Sequence, residues 1–305
     1  MRENFFIKSH GLGNEYIVLD DDNINFEINT NSIIRLCNVN YGIGSDGILL
    51  KVKSDKADFG LKIFNPDGSE AEKSGNGLRI FCKYLFDYGF TNNQQFTVET
   101  AGGIVTAFID EIVNEKAKII TVEMGKAIFN SKTIPTNFEE NEVIDKTITI
   151  KDKDFKINCV SVGNPHCIVI KEQLDINEIK TYGSLIENYP MFPNRINVQF
   201  VKVIDRHNAE ILIWERGAGF TLASGSSSSA VACILKKRGL IDNNVTIKMI
   251  GGNLKLEISE NWDIKMTGEV RQICDGFLNP ELINDIKKPM HNTCNCCTTP
   301  KIFPF

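Results

Sequence analysis

Two stretches, KSGNGLRIF at residues 73–81 and ASGSSSSAV at residues 223–231, decide how the chain is read. Each sets a Ser-Gly pair directly ahead of an apolar run, and serine is favoured at the position that caps a helix start. Ser74 and Ser224 lie 150 residues apart. Moving outward, the same interval relates Gly13-Asn14 to Gly163-Asn164, each just before an apolar strand. It also relates Asn65, at the end of LKIFN, to Glu215, at the end of EILIWE. Gly102-Gly103 and Gly251-Gly252 follow in step, and VEMG at 122–125 resembles IKMTG at 264–268. Several matches in one order and nearly one register indicate two structurally similar halves. A period this long means two domains rather than a solenoid. The expected division is 1–125, joined by a return of 277–305, and 126–276, with a ligand site in the cleft between them.

Runs rich in Ile, Val and Phe predict strands near 4–8, 15–20, 46–52, 58–64, 95–99, 104–109 and 117–123. A second set falls near 147–150, 155–162, 166–171, 197–204, 209–215, 245–249, 253–258 and 263–267. Helices fit around 30–38, 76–87, 175–187 and 227–238. Gly-Asn, Pro-Asp-Gly and Gly-Gly pairs supply the turns.

Composition narrows the function. The 305 residues carry 42% hydrophobic and 24% charged side chains, with a net charge of −5. Such a balance argues against a nucleic-acid surface, which shows as basic excess. The start, MRENFFIKSHGLGNEY, has no apolar core of a secretory signal, and no run approaches the roughly 18–20 apolar residues of a membrane span. A cytoplasmic protein is expected. The nine cysteines are an odd number scattered along a long chain, unlike a disulfide framework. Most sit in apolar runs and read as reduced core residues. HNTCNCC at 291–297 lacks paired C-x2-C spacing, so it reads as a tail with adventitious thiols, and no metal is expected.

The paired loops suggest chemistry. A helix start has free N–H groups and the positive end of a dipole, so two starts facing each other make an anion clamp suited to a carboxylate. Gly75, Asn76, Gly225 and Ser226 would supply backbone donors. The simpler reading is that Ser74 and Ser224 only cap their helices. Asn14, Asn65, Asn164 and Asn197 sit at strand ends or turns, His166 follows in VGNPHCIV, and Glu215-Arg216 opens ERGAGF. Singly, an Asn there is a turn former and His166 an ordinary satisfied histidine. Together they suit recognition of an amino acid.

These residues resemble those of diaminopimelate epimerases. The likeness runs from about residue 4 to about 278, through HGLGNEYIVLD, YGIGSDGILL, FNPDGSEAEKSGNGLR, FTVETAGG, VSVGNPHCIVI, FPNRINVQFV, WERGAGFTLASGSSSSA and MTGEV. It implies an α/β fold of two pseudo-symmetric halves, each a β-sheet or barrel wrapped around a central helix. It implies a cofactor-independent, two-base interconversion of LL- and meso-diaminopimelate, serving lysine and peptidoglycan synthesis, and a homodimer. Asn65, Asn164, Asn197, Glu215 and Arg216 would hold the distal, non-reacting centre. Asn14 and the two glycine loops would lie at the reacting centre. His166 and Glu215 are similar to groups that keep the two catalytic side chains correctly charged.

In the family both motif positions are cysteine; here they are Ser74 and Ser224. A thiol ionises near pH ~8.5 and a helix start lowers it further, whereas a hydroxyl needs an adjacent base. No such base is evident in the sequence beside either serine, although His166 is a candidate for one side. Three readings follow: a double Cys→Ser form that holds substrate without turnover, which is the preferred one; a non-catalytic amino-acid-binding homologue; or native serine chemistry. Phe220 and Ser226-Ser227 also depart from the family pattern, which leaves room for a racemase of another amino acid such as histidine.

Overall fold

A computed structural model describes residues 3–288. The first half runs β1 (Phe5–Gly11), β2 (Asn14–Asp20), α1 (Thr30–Cys37), β3 (Ile48–Val52), β4 (Phe59–Phe64), β5 (Glu70–Ala71), α2 (Gly75–Asp87), β6 (Gln95–Thr100), β7 (Gly103–Val113) and β8 (Lys116–Lys126). Next come β9 (Lys146–Ile150), β10 (Lys153–Ser161), β11 (Pro165–Ile170), α3 (Ile176–Glu187), β12 (Asn197–Asp205), β13 (Asn208–Glu215) and β14 (Gly219–Thr221). The described residues finish with α4 (Gly225–Lys237), β15 (Asn244–Met249), β16 (Gly252–Ile258), β17 (Asp263–Glu269), β18 (Arg271–Phe277) and α5 (Pro280–Lys287).

The pairings repeat. In the first half β1–β2 is antiparallel, β2–β3 parallel across α1, β3–β4 antiparallel and β4–β6 parallel across α2, and two antiparallel steps reach β8. In the second half β10–β11, β11–β12 across α3, β12–β13, β13–β15 across α4 and two antiparallel steps to β17 follow the same order. Antiparallel pairing of β8 with β17 joins the halves into one sheet. One element is exchanged. β9 flanks β10 from the preceding chain, whereas the matching strand beside β1 is β18, supplied by the end of the chain from Arg271 onward.

The central helices are buried nearly all round, mostly through apolar side chains beyond their first turns. Leu78, Ile80, Phe81, Tyr84 and Leu85 of α2 are buried, as are Val231, Ala232, Ile234 and Leu235 of α4. Each such Leu, Ile or Phe stabilises the fold by about 1.5–3 kcal/mol through burial. α2 touches β1 and β2 at one end of its half-sheet and β7 and β8 at the other, so the strands curl around it. α4 is held likewise between β10–β12 and β15–β17. Both helices stop alike. Gly89 and Gly239 take left-handed φ of 74° and 68°, and their N–H groups donate to Phe86 O and Lys236 O.

The expected helices and strands are all present, with ends displaced by a few residues. β5, β14, β18 and α5 were not expected. β5 and β14 are two and three residues long, too short for a period to show. β18, RQICDGF, is exposed along most of its length and lacks apolar alternation. The cysteine-rich stretch at 291–297 lies outside the described residues. Cys37, Cys82, Cys159, Cys167 and Cys233 are buried free thiols, and Cys274 is an exposed one. No helix among the described residues is long and apolar enough to cross a membrane.

Candidate active site

The starts of α2 and α4 meet. A Cβ on Gly225 would lie 3.7 Å from Gly75 Cα and 3.0 Å from Met266, which β17 inserts between the two helices. A Cβ on Gly75 would fall 2.2 Å from Met266 Cε, so any larger residue here must push that side chain aside. Both serines are helix caps. Ser74 Oγ accepts from Gly77 N at 3.0 Å, and Ser224 Oγ from Ser227 N at 3.4 Å. The caps leave the N–H groups of Gly75, Asn76, Gly225 and Ser226 without an intrahelical acceptor, as the first residues of any helix are.

Each serine has a further neighbour. Tyr16 OH lies 3.2 Å from Ser74 Oγ. Burial raises the Tyr16 phenol above its ordinary value, the Ser74 contact opposes this, and the charges of Asp46 and Glu215 add to it. Thr221 Oγ1 donates to Glu215 Oε1 at 3.0 Å, and the Ser224 side chain stands next to the same carboxylate. Burial raises Glu215 above the usual carboxylate value, the Thr221 hydrogen bond and the neighbouring Ser224 hydroxyl oppose the shift, and Asp46 adds to it. A carboxylate therefore does stand beside Ser224, a group that sequence alone did not reveal there.

The asparagines fall into linked sets. Asn76 Nδ2 donates to Asn14 Oδ1 at 3.2 Å, and Asn14 Nδ2 donates to Asp46 Oδ2 at 2.9 Å. In the other half Asn164 Nδ2 donates to Ser226 Oγ at 3.5 Å, the same contact 150 residues on. His166 is fully buried, with Nε2 2.8 Å from Asn164 Oδ1 and Nδ1 3.3 Å from Gln199 Oε1. Burial lowers it to about 3, the Gln199 contact opposes this and Arg216 reinforces it, so the ring is neutral at pH 7. Its described hydrogen bonds reach neither serine. Asn197 accepts from Arg216 N at 3.0 Å and donates to Pro165 O at 2.8 Å. The Arg216 side chain is exposed and donates to Asn194 O. Asn65 bonds Ser69 within its own turn, and no described hydrogen bond links it to the other candidates.

The model of the family described as diaminopimelate epimerase matches residues 6–130 and 158–273. The chain belongs to the diaminopimelate epimerase family. It is 46% identical over 278 residues to "Diaminopimelate epimerase 2" of a Nostoc species, covering 91% of this chain and 96% of that one. A diaminopimelate epimerase of Methanococcus maripaludis is 40% identical over 276 residues, covering 90% and 99%. Among solved structures, a probable proline racemase from Agrobacterium radiobacter superposes with a TM-score of 0.68 at 15% identity, covering 92% and 95%. A hydroxyproline epimerase from Agrobacterium vitis gives 0.67 at 14% identity, with 92% and 95% covered. These two likenesses bear on the fold.

Within this diaminopimelate epimerase family member, sequence reasoning missed Tyr16, Asp46, Arg79, Gln199, Thr221 and Met266. The repeat held a signal for one of them, since Tyr16 stands 150 residues before His166. Phe220, which departs from the family pattern, packs into the core of the second half with Lys180 Nζ 5.1 Å above its ring. A surface hollow of about 500 Å³ lies at the far end of α4, lined by Arg206, Lys236, Asp242 and Glu260. Its charges pair with one another, so it offers no free ion.

Proposed function

We propose that this chain is a diaminopimelate epimerase whose Ser74 and Ser224 occupy the two acid/base positions and make it inactive. The observation that carries the reading is the contact of two symmetric Ser-Gly helix starts with four free N–H groups between them. An α-carboxylate bridging Gly75, Asn76, Gly225 and Ser226 would receive both dipoles. Asp46, close enough to affect the charge around Tyr16, suits an ammonium group of the same zwitterion. Asn65, Asn164, Asn197, Glu215 and Arg216 are assigned to the distal amino-acid head, and Asn14 to the reacting one. His166 acts through Asn164 by holding its amide, and Glu215 by its place beside Ser224.

Epimerisation needs one group to take the α-proton and a second to return one from the opposite face, and no cofactor is required for that exchange. A hydroxyl at a helix start stays protonated. The Glu215 carboxylate stands beside Ser224, whereas the side chain within hydrogen-bond distance of Ser74 is the Tyr16 phenol, so no base completes the pair. The two halves, with β18 returning to the first, close on the substrate and exclude water. A cytoplasmic homodimer belongs to the same reading, supported by the exposed Ile273 and Phe277 on β18.

The test is direct. Ser74→Cys with Ser224→Cys is expected to wash deuterium into the α-position of LL-diaminopimelate in deuterium oxide, while the parent chain binds it in calorimetry without exchange. A double variant that exchanges no α-proton of any amino acid overturns the reading. Tight histidine binding without diaminopimelate binding reassigns the substrate.

A further inference from the structure

Arg79 is fully buried in α2, one turn beyond Gly75. Nη1 donates to Gly75 O at 3.2 Å and to Met266 Sδ at 3.0 Å, and Nη2 donates to Asn76 Oδ1 at 2.7 Å. Nε has no partner. No carboxylate bonds the guanidinium among the described residues. Burial lowers it to about 10, so it remains charged at neutral pH. Two glycines make room for it: a Cβ on Gly11 would come 3.3 Å from Nη2, and one on Gly268 3.1 Å from Nε. A buried cation without a counter-ion is costly, and where one persists it commonly serves a site.

Its bonds run in one direction. Arg79 donates to Asn76, Asn76 to Asn14, and Asn14 to Asp46. A cation at one end and a carboxylate at the other allow both amides a single orientation. The second half lacks this device. Ser229 stands where Arg79 does in the repeat, and its buried hydroxyl has no partner. Asn164 points its oxygen at His166 instead, and Ser224 has the Glu215 carboxylate beside it.

We infer that Arg79 is a positioning residue that orders the Asn76–Asn14–Asp46 chain and favours negative charge on the side chain at position 74 over that at 224. This rests on the reading of both positions as the acid/base pair. It makes the two faces of a symmetric cleft electrically unequal: the 74 side holds the charged form and the 224 side the protonated one. Other groups face position 74 too. Tyr16 is protonated at neutral pH, Lys73 adds a partly buried cation, and Asp46 and Glu215 oppose the effect. Arg79 differs from these in having no bonded counter-charge.

Single Ser74→Cys and Ser224→Cys forms of the full chain test this without substrate, through iodoacetamide alkylation resolved by peptide mass spectrometry across pH. The thiol at 74 is expected to ionise roughly one pH unit or more below the thiol at 224. Adding Arg79→Met is expected to raise the first by about one unit and leave the second nearly unmoved, while Arg79→Lys retains most of the effect. The reverse order, or a shift of both thiols by equal amounts as from a loosened helix, overturns the inference. If Arg79→Met does not fold, Asn76→Asp sets a carboxylate against the guanidinium and must raise the thiol at 74; an unchanged thiol there also overturns it. Failed exchange in the double cysteine form would refute the proposed function alone.

Discussion

His166 and Glu215 sit in one site and respond to pH in opposite senses. The unfolded chain protonates His166 below about 6.5, but the folded one waits until about 3. Stability contributed by the neutral ring is therefore complete above about 6.5 and lost as pH falls toward 3, at up to about 1.4 kcal/mol per unit. Urea midpoints measured from pH 7 to pH 4 should fall more steeply for the parent than for His166→Gln; parallel slopes would exclude a neutral buried ring. Glu215 runs the other way, because its folded value is raised. The folded state keeps that proton longer, so stability is greatest below the ordinary carboxylate value and declines as pH rises through the raised one. Glu215→Gln should gain melting temperature relative to the parent between pH 4 and pH 7.5, and a constant difference contradicts this. Both side chains were recognisable from their place beside Asn164 and Arg216. Tyr16 and Asp46 were not, because a tyrosine inside an apolar strand and an aspartate in a glycine turn look like core and loop until the fold brings them to Ser74 and Asn14.

At the scale of elements, the two helix starts approach each other around Met266. Gly75→Ala would drive a methyl into Met266 and should destabilise by about 1–3 kcal/mol in urea unfolding, as overpacking does. Gly225→Ala meets the flexible end of the same methionine at 3.0 Å and should cost less. Equal losses would mean that Met266 does not divide the helices as described. Helices and long strands were legible because apolar spacing and the Ser and Gly punctuation agree at both copies. The weak elements were those whose stability comes from elsewhere. β14 forms because β13 is already there to pair with Gly219–Thr221. α5 forms on the Asn279 cap and Pro280, with Ile283 and Ile286 buried beside α1.

For the whole molecule, β18 is an edge strand that pairs with β1, with Ile273 49% and Phe277 46% exposed. Edge strands of this kind invite a partner. Ile273→Lys should convert a sedimenting dimer to a monomer without changing helix content; a parent chain that is monomeric at micromolar concentration removes the homodimer from the reading. The division into two similar halves was legible from the 150-residue interval, whereas the partner of β1 was not, since no local pattern states which strand a polar segment will join.

The exchange of β18 for a strand like β9 also sets an order in time. A ribosome releases the first half early, yet that half must keep β1 uncovered until β18 and α5 emerge, because its missing edge and the helix beside α1 are translated after the whole second half. The second half carries its own edge strand ahead of β10 and waits for nothing. The half that is made first is thus the one completed last.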